Sequence, residues 1–318
     1  MVEVGQKIGN YRVLEKIAQG RMGDVYLAEH PVIARKAAVK VIHPHLACDP
    51  EVVAHFVNEA SAIGRIGDEH IVGVTDCGRT LAGDLYIIME YVEGRSLADV
   101  IVDEAPLAPA RALELAAQIA DALVVAHAHG VIHRDLKPEN VFLVKHRKHP
   151  DFVKVLDFGL AKLLADDGTA PRDPRAGAIM GTPYYMAPEQ CRGDRELDGR
   201  ADVYALGVIL FEMLTGKLPF GGDSDREVLT KQMTLTPPAV RSLVSDVPAG
   251  LDAVVRRALA KSPAERFPSM AAFVEALLAP GAHMLPFAAR ADDNAVGVVY
   301  AARPMSRAEI RQSRASRR

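Results

Sequence analysis

The hydrophobic period of the chain changes near residue 94, and that change restricts the folds open to it. Before that point YRVLEKIA, GDVYLAEH and KAAVKVIHP read as strands around a glycine-containing turn, and IVGVTDCG and DLYIIMEYV as two more. One helix interrupts them: PEVVAHFVNEASAIGRI places Val53, Phe56, Val57, Ala60 and Ile63 at amphipathic spacing. After EGRS the period lengthens. PARALELAAQIADALVVAHAHG reads as a long helix closed by Gly130, and helices dominate to about residue 279. The exceptions are two short strands, VFLV and FVKVLD, flanking the turn KHRKHP. The expected fold is α+β and two-lobed, a small β-rich lobe with a five-stranded sheet and one main helix, then a larger, mostly helical lobe.

Composition narrows the function classes. The chain has 318 residues, enough for one large domain or two lobes, and its 49% hydrophobic and 25% charged content is ordinary for a globular protein. Lysine and arginine number 38 against 41 acids, a net charge of −3, so bulk charge gives no argument for a nucleic-acid partner. Cys48, Cys77 and Cys191 are scattered, which argues against a disulfide framework or zinc site and fits a reducing compartment. The opening MVEVGQKIGNYRV lacks the apolar core of a secretory leader, and ADVYALGVILFEML is too short and interrupted to span a bilayer. A cytoplasmic location is expected, with membrane association only if the chain is a piece of a longer protein. RPMSRAEIRQSRASRR holds six arginines and one glutamate in sixteen residues. Residues 280–318 therefore read as a basic, disordered tail, with contact to an anionic membrane surface as the weaker alternative.

VIHRDLKPENVFLV crowds Arg134, Asp135, Lys137, Glu139 and Asn140 between two apolar runs. A solvated loop is the bland reading. A catalytic loop held between buried anchors is the sharper one. Asp135 and Asn140 lie five apart, and Asp157 follows twenty-two residues after Asp135. Three such oxygen donors suit magnesium, and Lys137 adds a cation where a transferring phosphoryl group needs its charge neutralised. On spacing alone, a capping or turn aspartate is the better reading.

The order of motifs changes that balance. HRDLKPEN, DFG and APE follow one another downstream of an AVK strand and a helical glutamate. In this the sequence resembles the eukaryotic-like protein kinase superfamily, and specifically its bacterial serine/threonine kinases. The resemblance implies a lead-in over 1–10 and a kinase domain over 11–279. It divides that domain into an N-lobe over 11–89, a hinge over 90–94 and a C-lobe over 95–279. It implies ATP with Mg²⁺, or Mn²⁺ in its place, and protein substrates offering serine or threonine. Nothing in the sequence specifies an oligomeric state.

The resemblance also assigns roles. AQGRMGDVY becomes the phosphate-covering turn, with Ile17, Gly20 and Gly23 in place and Ala18 standing where the family has its first glycine. Lys40 would reach the α- and β-phosphates and pair with Glu59. Val25 and Ala38 would cover one adenine face and Phe142 the other. Glu90 to Val92 would offer backbone hydrogen bonds, and Met89 would control the back of the pocket. Asp135 would accept or orient the proton of the attacking hydroxyl, Lys137 would neutralise the γ-phosphoryl, and Asn140 with Asp157 would hold the metal. Glu189 would pair with Arg266, and Asp202 would accept backbone hydrogen bonds from the catalytic loop. His133 reads as a packed, satisfied core histidine. Arg134 would meet a phosphorylated residue of the activation segment, where Thr169 is the candidate switch and Thr182 the substrate-facing threonine. Two rival readings stand beside this: a nucleotide-holding scaffold, which only Ala18 supports, and a small-molecule kinase, which the peptide-docking look of GTPYYMAPE disfavours.

Overall fold

The computed structural model describes residues 2–20, 23–47, 50–80, 82–146, 149–158, 183–194 and 196–279. Thr169, Thr182 and the 280–318 tail lie outside them. The first lobe is an antiparallel sheet of β1 (Lys7–Ile8), β2 (Tyr11–Gln19), β3 (Gly23–Glu29), β4 (Lys36–Ile42), β5 (Val74–Arg79) and β6 (Leu85–Glu90), in the order β1-β2-β3-β4-β6-β5. It has six strands where five were expected. The added strand comes from the supposed lead-in, because Gly9 in the left-handed region (φ +56°) turns the chain and pairs Ile8 with Tyr11. Helix α1 covers Pro50–Ile66, the span its periodicity predicts. β4 runs between β3 and β6 and is buried from Ala37 to Ile42, so its polar member, Lys40, lies within an apolar strand.

The chain then crosses into a small second sheet, β7 (Arg95–Ser96), β8 (Val141–His146) and β9 (His149–Val155). The last two are longer than expected, which shortens the turn between them. Ser96 caps α2 (Leu97–Glu104), its hydroxyl accepting from Asp99 N at 3.1 Å. Helix α3 (Pro109–Ala128) begins at a proline and the chain leaves it through Gly130 at φ +75°. There follow α4 (Pro188–Arg192), α5 (Arg200–Thr215), α6 (Asp225–Thr234), α7 (Ala249–Ala258) and α8 (Met270–Leu278).

Helix α5 is the centre of the large lobe. Every residue from 201 to 215 is buried, which explains why it is apolar on all faces. At Gly207 an added Cβ would lie 2.8 Å from Ala258 Cβ, so α7 packs where only glycine fits. Among the described residues no helix is long and apolar enough to cross a membrane. Arg266 and Glu189 are buried here as a pair. Both terminal nitrogens of Arg266 reach both oxygens of Glu189 at 2.7 Å, while its Nε donates to Ala260 O at 2.8 Å.

Removing one member of that pair leaves the other charged and buried. Arg266→Met is expected to cost about 3–5 kcal/mol in urea unfolding, and the double change with Glu189→Leu clearly less. Equal losses in the single and double variants would contradict the pairing account.

Candidate active site

The loop over 131–140 joins α3 to β8 and satisfies only part of its own backbone, Asp135 N donating to His133 O at 2.8 Å and Asn140 N to Lys137 O at 2.9 Å. Asp202, 1% exposed at the start of α5, takes two further amides: Oδ2 accepts from His133 N and Oδ1 from Arg134 N, both at 2.9 Å. His127 Nε2 lies 2.7 Å from the same Oδ2. Burial opposes ionisation of Asp202, but the His127 hydrogen bond and the loop amides outweigh it and hold the carboxyl below its ordinary range. Arg134 takes the left-handed region (φ +64°), uncommon for a side-chain-bearing residue. It is pinned from both sides, since Gln190 Nε2 donates to its carbonyl at 2.7 Å.

His133 is packed as expected, fully buried and 4.7 Å from the Phe158 ring. It is not fully satisfied. Nε2 bonds to Leu156 O at 2.9 Å, so the proton belongs there, and Nδ1 has no hydrogen-bond partner among the described residues. Burial lowers its pKa and keeps the ring neutral, which suits that single donor.

Beyond His133 the reactive groups converge. Lys137 Nζ lies 2.5 Å from Asp135 Oδ2, and Asn140 Nδ2 donates to Asp135 O at 2.9 Å. Leu156 N donates to Asn140 O at 2.8 Å, which sets Asp157 beside Asn140 at the ends of β8 and β9. Asp157 also adopts the left-handed region, at φ +58°. Its Oδ1 lies 3.0 Å from Lys40 Nζ. Burial would raise this carboxyl, but Lys40 and then Lys137 outweigh that effect and hold it below the ordinary value. For Lys137 burial works against the charge, and Asp135 more than restores it. Lys40 thus makes an ion pair across to the start of the segment after β9. Glu59 stays half-buried on α1, with Oε2 shielded from solvent.

A divalent cation fits this donor set. Asn140 commits its Nδ2 to the backbone, leaving the carbonyl oxygen as its ligand atom. Asp157 brings an ionised carboxylate alongside. Hard oxygen donors with one net negative charge suit magnesium completed by phosphate and water oxygens.

The expected nucleotide residues line one side of the small-lobe sheet. Val25 faces Lys40 across β3 and β4, and Ala38 faces Met89 across β4 and β6. Val25, Ala38, Met89 and Val92 pack in one apolar cluster, together with Leu156. Leu156 was not anticipated. Phe142 lies half-buried on β8, opposite Ser96 and Lys154. Ile17, Ala18 and Gly20 are exposed, and Ala18 pairs with Val25 inside β2, a position that accepts a methyl group. Gly23 is required for another reason than phosphate access: a Cβ there would stand 2.1 Å from Val41 O. At the end of β6 Glu90 Oε2 pairs with Lys154 Nζ at 2.8 Å, and a Cβ on Gly94 would stand 2.4 Å from Leu143 O. His127, Gln190 and Gly94 carried no usable signal, because each acts only through a partner distant in sequence.

The same elements occur in known proteins. Residues 11–277 match the family model described as protein kinase domain. The serine/threonine-protein kinase Pkn1 of Myxococcus xanthus is 46% identical over 274 residues, covering 86% of this chain and 38% of its own. PknB of Mycobacterium tuberculosis is 40% identical over 264 residues, covering 82% of this chain and 41% of its own. The chain thus spans less than half the length of these relatives. The crystal structure of the Mycobacterium tuberculosis PknI kinase domain aligns with a TM-score of 0.68 at 31% identity, covering 88% of this chain and 99% of that one.

Asp202 yields a pH test. Its folded pKa lies below its unfolded one, so its contribution is complete above about 4 and is lost as pH falls through the lower folded value. Asp202→Asn is expected to be less stable at neutral pH and to show a shallower fall in urea midpoint between about pH 5 and pH 2. An acid limb as steep as that of the wild type would contradict the assignment.

Proposed function

Because the chain belongs to the protein kinase domain family, we propose that it transfers the γ-phosphoryl group of Mg·ATP to serine and threonine hydroxyls of proteins, itself included, in bacterial signalling. The observation that carries this reading is the convergence of Asp135, Lys137, Asn140, Asp157 and Lys40 through short polar contacts. Lys40 and Asp157 are each other's counter-ions. A polyphosphate with its cation offers the same charges in complementary order, phosphate oxygens for Lys40 and the metal for Asp157. Glu59 would then serve as the carboxylate that holds Lys40 on the phosphates.

Within this reading Asp135 orients the substrate hydroxyl and receives its proton, while Lys137 shields the charge moving between the oxygens. Asn140 and Asp157 would hold the metal, whose chemistry when bound would be to neutralise the phosphate oxygens. The protein's own contribution is position and charge, with no covalent step. Val25, Ala38, Met89 and Leu156 suit a planar purine, with Ile17 and Ala18 above, Phe142 below, and the backbone of 90–92 for its polar edge. The kinase domain runs over 11–279, hinged at 90–94. Thr182 faces the substrate, and Arg134 answers a phosphate on Thr169. The catalytic domain acts on the cytoplasmic side, where the 280–318 tail can meet anionic lipid.

Transfer from γ-labelled ATP to the chain and to a generic basic protein tests the reaction. Asp135→Asn is expected to lose about 10²–10⁴-fold in rate, with phosphoserine or phosphothreonine in the wild-type product. Tight ATP binding without transfer, in wild type and variant alike, would favour the scaffold reading. Glu59→Gln should lower kcat by about 10²-fold through misplacement of Lys40 while leaving the melting temperature nearly unchanged. An unaltered kcat would remove Glu59 from its role.

A further inference from the structure

Helix α6 buries Val228, Leu229 and Gln232. Gln232 is fully buried, where an amide left without partners would be costly. Its partners are specific. Nε2 donates to Tyr184 O at 2.5 Å and to Pro183 O at 3.2 Å. Oε1 accepts from the hydroxyl of Tyr204 on α5. The backbone carbonyl of Gln232 accepts from Lys261 Nζ at 2.7 Å, and that ammonium also reaches Tyr204 OH at 3.2 Å and lies 4.2 Å over the Phe220 ring. The amide therefore has a fixed sense: its oxygen is taken by α5, so both protons point at consecutive carbonyls of the 183–185 turn.

A second side-chain tether of that turn runs to α5, where Tyr185 OH donates to Glu212 Oε2 at 2.6 Å. Downstream, Gln190 joins the same segment to Arg134, next to Asp135. The segment is thus fastened to the catalytic loop at one end and to α6 at the other. We infer that Gln232 is a positioning residue for the peptide substrate, setting the height of the 183–185 backbone relative to Asp135 through the Tyr204–Gln232–Lys261 network. The inference rests on the reading of this segment as the peptide-facing part of a protein kinase. Gln232 touches neither substrate nor nucleotide in this scheme. A role confined to satisfying buried carbonyls would alter stability and nothing else.

The test uses the whole chain and a peptide spanning a serine or threonine that the wild type phosphorylates in the basic protein. Gln232→Met keeps the volume and removes both donors. The KM for the peptide is expected to rise about tenfold, the equivalent of one net hydrogen bond, with the KM for ATP unchanged. Tyr204→Phe, which frees the amide to turn over, should raise the peptide KM in the same direction by a smaller factor. It serves as the deciding variant if Gln232→Met does not fold. An unchanged peptide KM in the folded variants, or equal rises in both KM values, would overturn the inference while leaving the kinase reading intact. A wild type that phosphorylates no peptide would overturn both.

Discussion

Asp202, buried on the first turn of α5, accepts the amides of His133 and Arg134 on its two oxygens and holds His127 against one of them. An irregular loop has no ladder to satisfy its amides, so a charged acceptor fixed in a helix is what allows it one conformation. Arg134 in the left-handed region costs on the order of 1–3 kcal/mol, a strain that persists only under such restraint. Asp135 comes next in the chain, so its position follows from where Asp202 holds its neighbours. Lys137 and Asn140 then bond to Asp135 itself.

The same helix holds the rest of the large lobe. Tyr204 meets Gln232, Glu212 meets Tyr185, and the Arg200 carbonyl accepts from Arg266, which grips Glu189. The loop carrying Asp135 and the turn over 183–185 are therefore referred to one rigid, fully buried element. The small lobe joins through the backbone, Val72 N to Val155 O at 3.0 Å and Val155 N to His70 O at 2.7 Å, and through Glu90 on Lys154. Those links bring β4 within reach of Asp157, and the Lys40–Asp157 pair spans the boundary between the lobes.

Much of this was legible beforehand. The bounds of α1 follow from its apolar spacing. The Glu189–Arg266 pair and the Asp202 hydrogen bonds were expected and are present. Other features were not legible. The Ile8 strand was missed because two residues are too few to show a period. That the Val41 carbonyl on the neighbouring strand also demands a glycine at 23 had no local signal. Leu156 reads as one more apolar residue at the end of a strand, and only packing puts it beside Val25 and Met89.

The sequence by itself determined the element types, the division near residue 94 and the identity of the charged residues in the loop. Periodicity and residue chemistry are local properties, and they survive in a string of letters. Only the tertiary structure decided which partners those charges take. Lys40 reaches across to Asp157, and Gln232, a glutamine that would pass for surface sequence, is buried among carbonyls from a segment far along the chain. The physical reason is that the cost of burying a polar group depends on what faces it, and what faces it is set by packing between elements distant in sequence.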